Sequence, residues 1–384
     1  MGAAVDVVVV GAGPAGCAAG ITAARAGARV LVLDRARFPR PKTCGDAISN
    51  RAAELVAVLC GVDSVDEALA GVPMTRVDRG VAILPDAGAI ERGFGARPGY
   101  IVPRLGLDDR LRLALEHAGA SLRQGTKVTG LVRERERVVG VTIEGGEVVR
   151  GDVVIAADGP GSIAQSALGE PYRRGRHLAV ALTAYVEGLR PGPWSDAAEH
   201  YFEPGLRAGY GWIFPPVDGL ANVGVYQRAD RFHAHGRTLK QLFEEFRTAH
   251  RDRFADARLC GRTRTWALPL AVPPAPRTVA GLLVAGDAGA CVDPLAGEGI
   301  WQALHTGVLA GGVAGRGQAH DRAAIAALGR RRLRDIGVPS LLRLGIQDAM
   351  DGLIASGLHR RALVRALLRR GYASEALEAS KRLG

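Results

Sequence analysis

The N-terminal segment shows the pattern of apolar and small residues that is typical of a strand, a helix and a second strand. Residues 5–10 read Val-Asp-Val-Val-Val-Val, and such a β-branched run predicts a strand buried on both faces of a parallel sheet. Residues 17–26 are mostly small and predict a helix that ends at Gly27. Residues 29–33, Arg-Val-Leu-Val-Leu, predict a second strand, which completes a β-α-β unit.

The rest of the chain alternates between strand-like and helix-like patterns, without an internal repeat or a flexible linker. The apolar spacing predicts helices over 51–60, 107–118 and 238–249 and, from about residue 298, a mostly helical remainder. Predicted strands lie within 72–102 and at 127–133, 138–143, 147–150, 153–156, 178–188, 200–203, 210–214, 221–227 and 282–284. Since buried strands of the N-terminal type return late in the chain, we expect an α/β fold with a mainly antiparallel α+β insertion.

A glycine-rich turn joins the first predicted strand to the first predicted helix. Gly11 permits a tight turn, Gly13 lets a pyrophosphate approach the backbone, and Gly16 lets the helix and strand pack closely. The N-terminus of the helix can then hold the pyrophosphate. Asp34 follows Gly16 by 18 residues, at the end of the second strand, where a carboxylate can accept ribose hydroxyls. Because an acid there would repel a 2′-phosphate, the turn favours FAD or NAD over NADP.

Two further glycine-containing turns follow predicted buried strands. One contains Asp158-Gly159 and the other contains Gly286-Asp287. Residues 294–300 then form a glycine-rich stretch that opens a helix. An acid at such a loop can bind ribityl hydroxyls, and a helix N-terminus stabilises negative charge at the pyrimidine edge of a flavin.

The composition of the 384-residue chain is that of a globular protein. Hydrophobic residues make up 47% and charged residues 23%, which excludes intrinsic disorder, and the 52 glycines follow no three-residue period, which excludes a collagen-like chain. The apolar runs fall short of the roughly 18 residues that a membrane span needs, and the first residues lack the basic start of a signal peptide. We therefore expect a soluble, cytoplasmic protein.

The net charge of +11 reflects a strong preference for arginine. Four of the 50 Lys and Arg residues are lysines, which leaves 46 arginines. They are dispersed, with dense clusters near 330–334 and 360–370, and no nucleic-acid-binding signature accompanies them, so we expect no nucleic-acid partner. In the second cluster, arginines alternate with leucines. Two interpretations stay open for it, a solvated charged face or a peripheral contact with an anionic membrane.

Five cysteines are spread widely along the chain. They are Cys17, Cys44, Cys60, Cys260 and Cys291. Their odd number and wide spacing predict neither a disulfide framework nor a zinc site, so we expect no metal. Cys44 differs from the others because Lys42 precedes it by two residues, where a cation can lower the pKa of a thiol. It is either a reactive thiol or a small residue packed beside Gly45.

The order of these motifs resembles that of the aromatic-hydroxylase-like superfamily of FAD-dependent proteins. Within it, residues 38–46, Phe-Pro-Arg-Pro-Lys-Thr-Cys-Gly-Asp, are similar to a loop of the geranylgeranyl reductase family, which includes bacterial menaquinone reductases. Residues 102–108 and 201–224 contain further short motifs that look like those of this family. The resemblance runs from residue 5 to about residue 310.

The resemblance implies non-covalent FAD that is reduced by NAD(P)H. Because no second G-x-G-x-x-G motif is visible, the family pattern implies that NAD(P)H binds only transiently. Asp287 matches a ligand of the ribityl chain, and Arg104 matches an arginine near the FAD phosphates or ring. The residues expected to bind the cofactor are Gly11, Gly13, Ala15, Gly16, Asp34, Arg35, Cys44, Arg104, Asp158, Gly159, Gly286, Asp287, Pro294, Gly297, Glu298, Gly299 and Ile300.

The implied activity is reduction of a C=C bond in an apolar, isoprenoid-type substrate. Flavin N5 would deliver hydride, and a protein acid or water would supply the proton. Cys44 and Asp46 are the expected catalytic residues. Tyr210, Trp212 and Phe214 are the expected substrate-binding residues. The spacing of two places Tyr210 and Trp212 on one face of a predicted strand, where they either line an apolar substrate tunnel or pack in the core.

Two other activities share this scaffold. A monooxygenase acting on an aromatic or polyketide-like secondary metabolite needs the reduced flavin to meet O2, and nothing in the sequence excludes it. A flavin-dependent halogenase needs a catalytic lysine and a Trp-x-Trp-x-Ile-Pro element. Residues 211–215, Gly-Trp-Ile-Phe-Pro, contain one of its two tryptophans, so the halogenase hypothesis ranks last.

The motifs also predict how the chain is divided into domains. The cofactor motifs occur near both ends, so the FAD-binding domain is expected to be discontinuous, with the substrate-binding domain inserted into it. The expected FAD-binding segments are 1–72, 100–170 and 275–320, the substrate-binding segments are 73–99 and 171–274, and the C-terminal helical region is 321–384.

Overall fold

The structure is a computed structural model of the chain that describes residues 5–164, 175–271 and 279–373. Its strands are β1 (Val7–Val10), β2 (Val30–Asp34), β3 (Ala47–Ile48), β4 (Thr75–Val77), β5 (Arg79–Leu84), β6 (Gly88–Gly93), β7 (Gly99–Ile101), β8 (Ser121–Gln124), β9 (Val128–Glu134), β10 (Arg137–Ile143), β11 (Val148–Arg150), β12 (Val153–Ala156), β13 (Leu178–Glu187), β14 (Ala198–Tyr201), β15 (Gly209–Ile213), β16 (Ala221–Arg228), β17 (Arg258–Pro269) and β18 (Leu282–Val284). Its α-helices are α1 (Pro14–Arg25), α2 (Asn50–Cys60), α3 (Val65–Ala68), α4 (Arg104–His117), α5 (Ala229–Phe232), α6 (Leu239–Ala249), α7 (Ile300–Gly315), α8 (Arg322–Arg332), α9 (Val338–Ala355) and α10 (Ala362–Ala373).

A five-stranded parallel sheet has the order β18-β12-β1-β2-β8. The valines of β1 lie at its centre, where Val8 pairs with Val154 on one side and Leu31 on the other. They are buried because both edges of the strand are paired and both faces are covered, as their β-branched run predicts. The carboxyl ends of these strands carry the turns that contain Gly11, Asp158 and Asp287.

Helices α1 and α7 pack against one another almost at backbone contact. A Cβ atom at Gly307 would lie 2.3 Å from the Ala15 carbonyl oxygen, and one at Gly311 would lie 2.3 Å from that of Ala19. This close packing fixes the start of α1 against the middle of α7. Helix α7, expected from about residue 298, begins at Ile300.

The larger, mainly antiparallel sheet has seven strands in the order β17-β13-β16-β15-β14-β5-β6. It takes strands from residues 79–93 and 178–269, which fall within the two predicted substrate-binding segments. The predicted domain boundaries at residues 170 and 275 lie outside the described residues, and the division into domains stays a proposal. Strand β17 was not predicted from the sequence, because its alternating arginines and threonines have no apolar period of their own.

Two small three-stranded sheets complete the β structure. One contains β3, β7 and β4, and the other is the predicted meander of β9, β10 and β11. Helix α6 shows how local sequence sets an element boundary, because the hydroxyl of Thr238 accepts the main-chain N–H of Gln241 while the Gln241 side chain accepts that of Thr238.

The described part of the C-terminal region, up to residue 373, is helical, as predicted. Helix α8 continues through a π-helical turn, Leu333–Gly337, into α9, and α10 packs against β6. Among the described residues, no helix is long and apolar enough to cross a lipid bilayer.

Candidate functional site

A cavity of about 1290 Å³ lies between the parallel sheet and the seven-stranded sheet. Small-molecule sites commonly measure roughly 300–1,000 Å³, so this cavity has room for more than one ligand. The turns at the carboxyl ends of β1, β12 and β18 line one part of it. Aromatic and aliphatic side chains of the seven-stranded sheet line the other part.

The glycine-rich turn has the geometry that its sequence predicts. Gly11 has a φ of +95°, and a Cβ atom there would lie 2.6 Å from the Ala157 carbonyl oxygen. A Cβ atom at Gly16 would lie 1.7 Å from the Gly11 carbonyl oxygen, so the chain needs glycine at both positions. Gly13 is different, because its added Cβ would meet no atom closer than 3.8 Å, in the Arg40 side chain. The space beside Gly13 can therefore receive a ligand.

Asp34 is nearly buried and holds the glycine-rich turn directly. One of its carboxylate oxygens accepts the main-chain N–H of Ala12 at 2.7 Å, and the other accepts that of Ala36 at 2.7 Å. The carboxylate lines the cavity beside Arg35 and retains lone pairs that can accept ligand hydroxyls.

Three acids from different turns meet the same cavity. Asp158 accepts the main-chain N–H of Ile163 through Oδ2 at 2.8 Å, while its Oδ1 is buried without a hydrogen-bond partner among the described residues. Glu298 Oε1 is likewise buried without a hydrogen-bond partner among the described residues. Burial raises the pKa of both Asp158 and Asp287. Since an unpaired buried acceptor costs about 1–3 kcal/mol, these atoms fit a ligand that brings hydroxyl or N–H donors.

The glycine-rich stretch before α7 is bent toward the aromatic residues. Gly297 has a φ of +63°, and its added Cβ would lie 3.0 Å from Tyr210 Oη. The carbonyl of Pro294 accepts the hydroxyl of Tyr226 at 2.8 Å and the amide of Gln347 at 2.7 Å. This anchors the stretch to β16 and α9.

The structure places most of the predicted cofactor residues on the cavity wall. Gly16 and Pro294 are not among the described residues that line it. Gly16 lies behind the wall and allows close packing, and the Pro294 carbonyl accepts hydrogen bonds there. The predicted cofactor residues on the wall are Gly11, Gly13, Ala15, Asp34, Arg35, Cys44, Arg104, Asp158, Gly159, Gly286, Asp287, Gly297, Glu298, Gly299 and Ile300.

A buried ion cluster lies under the cavity. Arg104 donates two hydrogen bonds to Asp108, at 2.6 and 2.8 Å, and Arg40 lies 3.0 Å from the same carboxylate. Asp108 is fully buried, and both arginines line the cavity. Two cations therefore share one anion, which leaves net positive charge facing a ligand. The i,i+4 spacing of Arg104 and Asp108 signals their pairing, but no sequence pattern signalled Arg40.

Lys42 enters the cavity, although the sequence analysis assigned it no binding role. Its ammonium lies 3.1 Å from the centroid of the Trp266 ring. Burial, together with the charge of Arg104, lowers the pKa of Lys42 to about 7. Trp266 comes from the missed strand β17, so no local pattern could pair it with Lys42.

Cys44 lies on the cavity wall, and its surroundings do not lower the pKa of its thiol, as Lys42 alone could. Burial raises the pKa of the Cys44 thiol, and the nearby Arg104 guanidinium opposes this only in part. The thiol therefore carries its proton at neutral pH. The Cys44 carbonyl accepts the amide of Asn222 at 3.0 Å and the hydroxyl of Thr183 at 3.3 Å, which attaches the loop to the seven-stranded sheet.

Asp46 does not reach the cavity, which corrects its expected contact with the substrate. It is completely buried behind the loop, with a left-handed φ of 63°. Its Oδ2 accepts the hydroxyl of Tyr185 at 2.5 Å and the amide of Asn222 at 2.9 Å, and Oδ1 has no partner among the described residues. Burial raises the pKa of Asp46 to about 6. Asp46 is thus placed to hold the Cys44 loop, and not to donate a proton to a ligand.

The apolar part of the cavity contains the predicted substrate residues. Tyr210 and Trp212 project from the same face of β15, and Phe214 follows on that face. His200, on the neighbouring strand, packs edge-on against Tyr210 and Phe214, and burial lowers its pKa to about 4, so it is neutral at pH 7. Further apolar residues of this wall, which the sequence analysis missed, are Ala82, Leu84, Ile90, Phe94, Ala181, Phe202, Leu268, Ile346, Met350, Leu367 and Leu368.

Comparison with known proteins agrees with this arrangement. The FAD binding domain family matches residues 4–308 of the chain. Menaquinone reductase of Mycobacterium tuberculosis is 36% identical over 319 residues, which cover 79% of this chain and 75% of that protein. The chain belongs to the geranylgeranyl reductase family. It is an FAD-dependent oxidoreductase. Digeranylgeranylglycerophospholipid reductase 1 of Methanopyrus kandleri, another similar protein, is 35% identical over 315 residues, which cover 80% of each chain.

Solved structures share the fold of this family member. A geranylgeranyl bacteriochlorophyll reductase-like protein of Thermoplasma acidophilum superposes with a TM-score of 0.75 at 22% identity and covers 99% of both chains. The flavin-dependent brominase Bmp2 superposes with a TM-score of 0.77 at 20% identity, covering 99% of this chain and 97% of that one. At such identities the likeness concerns the fold alone, because one scaffold serves several chemistries.

FAD fits the residues that line the polar part of the cavity. The space beside Gly13 admits a pyrophosphate at the start of α1, and the arginine-rich wall offsets its charge. The unpaired oxygens of Asp158 and Glu298 offer acceptors for the hydroxyl and N–H groups that FAD carries. Among the described residues, no cluster of three His, Cys, Asp or Glu side chains could hold a metal ion.

The buried Asp46 carboxyl predicts a pH-dependent stability. Its pKa is about 6 in the folded protein and 3.8 in its ordinary state, so the folded protein binds a proton more tightly. The wild type should therefore lose stability, relative to Asp46→Asn, as pH rises from about 4 to about 6, by on the order of 2 kcal/mol. Urea denaturation of both proteins across this range measures the difference.

Asp86→Asn is the matched control for this measurement. Asp86 is also an aspartate with a left-handed φ, 52°, but its side chain is exposed. We expect its substitution to change stability by no more than about 1 kcal/mol, because its ion pair with Arg360 is exposed. A constant difference between wild type and Asp46→Asn would contradict the raised pKa of Asp46.

Proposed function

We propose that this oxidoreductase reduces a C=C bond in the isoprenoid chain of a lipid or quinone, with NAD(P)H as the reductant. The observation that carries the proposal is the continuity of the cavity, which joins the cofactor turns to an apolar chamber through the Cys44 loop. Gly45 of this loop lies against the chamber, since its added Cβ would lie 3.3 Å from Phe214 and 3.7 Å from Trp212. The similar proteins named above act on menaquinone and on a digeranylgeranyl lipid.

The chamber favours an apolar chain over a polar metabolite. Tyr210, Trp212, Phe214 and neutral His200 present ring faces and edges, and aliphatic residues of the β5–β6 hairpin extend the same sheet face, where Ala82 pairs with His200. Burying apolar surface contributes about 25 cal/mol per Å², so a long isoprenoid chain gains affinity without a charged partner. The Tyr210 hydroxyl is not free to bind a polar substrate, because it donates a hydrogen bond to the Ala296 carbonyl at 2.5 Å.

The chain supplies orientation and a proton. FAD, once bound and reduced by NAD(P)H, would supply the hydride for one carbon of the double bond. The Cys44 thiol then gives its proton to the other carbon, so the S–H bond breaks as the second C–H bond forms, and solvent returns a proton to the thiolate. Arg104 favours the transient thiolate, since its guanidinium is the main influence that lowers the pKa of Cys44.

Product analysis under anaerobic conditions tests the proposed function. The FAD-loaded enzyme is incubated with NADH or NADPH and either menaquinone or a geranylgeranylated glycerophospholipid, and the product is examined by mass spectrometry. Gain of two hydrogens in the side chain supports the proposal. A hydroxylated product formed only when O2 is admitted would instead identify a monooxygenase. Recovery of both substrates without any reduced product would refute the proposed substrate class.

Removal of the Cys44 thiol should slow turnover while FAD stays bound. A positioned proton donor contributes roughly 10²–10⁴-fold, so we expect Cys44→Ala to lower kcat by about 100-fold or more, with an unchanged flavin content. Cys60→Ala is the control, because Cys60 is half-buried at the end of α2 and does not line the cavity. Equal turnover by the two variants would show that Cys44 only packs against its neighbours.

A further inference from the structure

The outer face of helix α9 is apolar. Val338, Leu341 and Leu342 are 57%, 47% and 60% exposed. Towards its C-terminus the helix exposes Gly345, Ala349 and Gly352. A helix on the surface of a soluble protein normally turns its charged residues outward, so this face has the opposite polarity.

The charged side chains of α9 point into the protein. Arg343 forms an ion pair with Asp293. Asp348 lies 2.7 Å from Arg228, and Asp351 is buried 2.5 Å from Arg207. Helix α9 thus contains charged residues, but they form ion pairs with the rest of the protein, and its outer face is left apolar.

Helix α10 carries further exposed apolar side chains. Leu363 and Leu367 are one turn apart on this helix and are 75% and 59% exposed. Among the described residues, twelve large hydrophobic side chains are exposed, and seven of them lie between residues 333 and 367. Such a concentration marks a surface that binds a partner, since scattered exposed leucines alone would need no explanation.

Positive charge surrounds this apolar surface. Residues 330–370 contain ten arginines and three aspartates. The aspartates are engaged in ion pairs with arginines, as Asp335 is with Arg334 at 2.7 Å. No carboxylate of the described residues forms an ion pair with Arg361 or Arg369. An apolar face among unpaired arginines is complementary to a bilayer that contains anionic lipids.

The same two helices form part of the cavity wall. Ile346 and Met350, on the inner side of α9, line the cavity, as do Leu367 and Leu368 of α10. Leu367 is both exposed and part of the wall, so it lies at the mouth of the cavity. The exposed apolar side chains of α10 thus reach the apolar chamber.

We propose that the outer face of α9 and α10, defined by Val338, Leu341, Leu342, Leu363 and Leu367 and called here the docking surface, binds an anionic lipid bilayer. A second copy of the chain fits less well, because a symmetric contact would bring two arginine-rich surfaces together. The binding itself does not rest on the proposed function. It would place the mouth of the cavity at the lipid surface, from which a membrane-dissolved substrate can enter.

Vesicle flotation of the full-length, FAD-loaded protein tests the docking surface. We expect flotation with phosphatidylcholine vesicles that contain phosphatidylglycerol, little flotation with phosphatidylcholine alone, and a decrease with added salt. The double variant Leu342→Asp/Leu363→Asp should lower the bound fraction at least tenfold. The control, Leu105→Asp/Leu113→Asp on α4, changes two leucines of 48% and 45% exposure outside the surface and should float as the wild type does.

The results of flotation and sedimentation together distinguish lipid binding from a contact between copies of the chain. Absence of wild-type flotation with anionic vesicles, or equal flotation of the docking-surface variant, would overturn the proposal. A wild-type dimer in sedimentation that the Leu342→Asp/Leu363→Asp variant abolishes, without vesicle binding, would identify the surface as a contact between copies. Retained FAD and a normal melting curve in the variant would show that its loss of binding is not due to misfolding.

Discussion

Asp108→Asn is expected to lower the free energy of unfolding by about 3–5 kcal/mol, because it leaves Arg104 and Arg40 without their shared anion. Arg104 is buried, and its two hydrogen bonds to Asp108 are 2.6 and 2.8 Å long. Uncompensated buried charge is among the few causes of so large an effect, which is a substantial fraction of the stability of a typical domain. Chemical denaturation of the FAD-free protein measures it.

The neighbouring residue provides a matched control for Asp108. Asp109 forms an ion pair with Arg112 at 2.6 Å, but its side chain is partly exposed, at 26%. We therefore expect Asp109→Asn to change stability by no more than about 1 kcal/mol. If the two variants lose the same stability, Arg104 and Arg40 do not depend on Asp108 as the structure indicates.

The second large effect is expected at the glycine-rich turn, where two glycines have different tasks. Gly16→Ala should destabilise the protein by about 3 kcal/mol or more, because its Cβ would lie 1.7 Å from a backbone oxygen that cannot move away. Gly13→Ala should leave the stability of the FAD-free protein within about 0.5 kcal/mol, because its Cβ meets no atom closer than 3.8 Å.

FAD binding is the property that should depend on Gly13. The methyl group that Gly13→Ala adds would occupy the space through which a pyrophosphate approaches the turn. We therefore expect the affinity for FAD to fall roughly tenfold or more in this variant. Titration of the FAD-free protein with FAD, followed by flavin fluorescence, measures this change. Wild-type affinity in the variant would mean that the pyrophosphate does not approach Gly13.

These variants also separate the cofactor site from the proposed activity. A Gly13→Ala protein that folds without FAD tests the polar part of the cavity alone. The Cys44→Ala protein, which should retain FAD, tests the step at the substrate. Because the two substitutions act on different ligands, failure of one prediction leaves the other intact.

Local sequence predicted the nucleotide-binding half of the fold well. The β-branched run of β1 can be satisfied only by burial between two strands, and Gly11 and Gly16 are required by backbone distances within a single turn. These features depend on residues that are close in the sequence. Because such features are local, the predicted bounds of β2 and α6 agree with the structure to within one residue.

The catalytic assignment depended on contacts that the sequence does not show. Asp46 follows Cys44 by two residues and was expected beside the substrate, yet Tyr185 and Asn222 hold it behind the loop. The possibility of a lowered pKa at Cys44 rested only on its neighbour Lys42. Burial has the larger influence and raises this pKa, and burial is a property of the whole fold.

The sequence by itself therefore determined the family and the cofactor turn, and it predicted most of the residues that line the polar part of the cavity, because each rests on short-range spacing and backbone geometry. Only the tertiary structure decided how Arg40 joins Arg104 and Asp108, how Trp266 of an unpredicted strand covers Lys42, and how α9 and α10 close the cavity. These contacts join segments that are far apart in the chain. Their energies come from desolvation and charge, which depend on what surrounds a side chain and not on what precedes it.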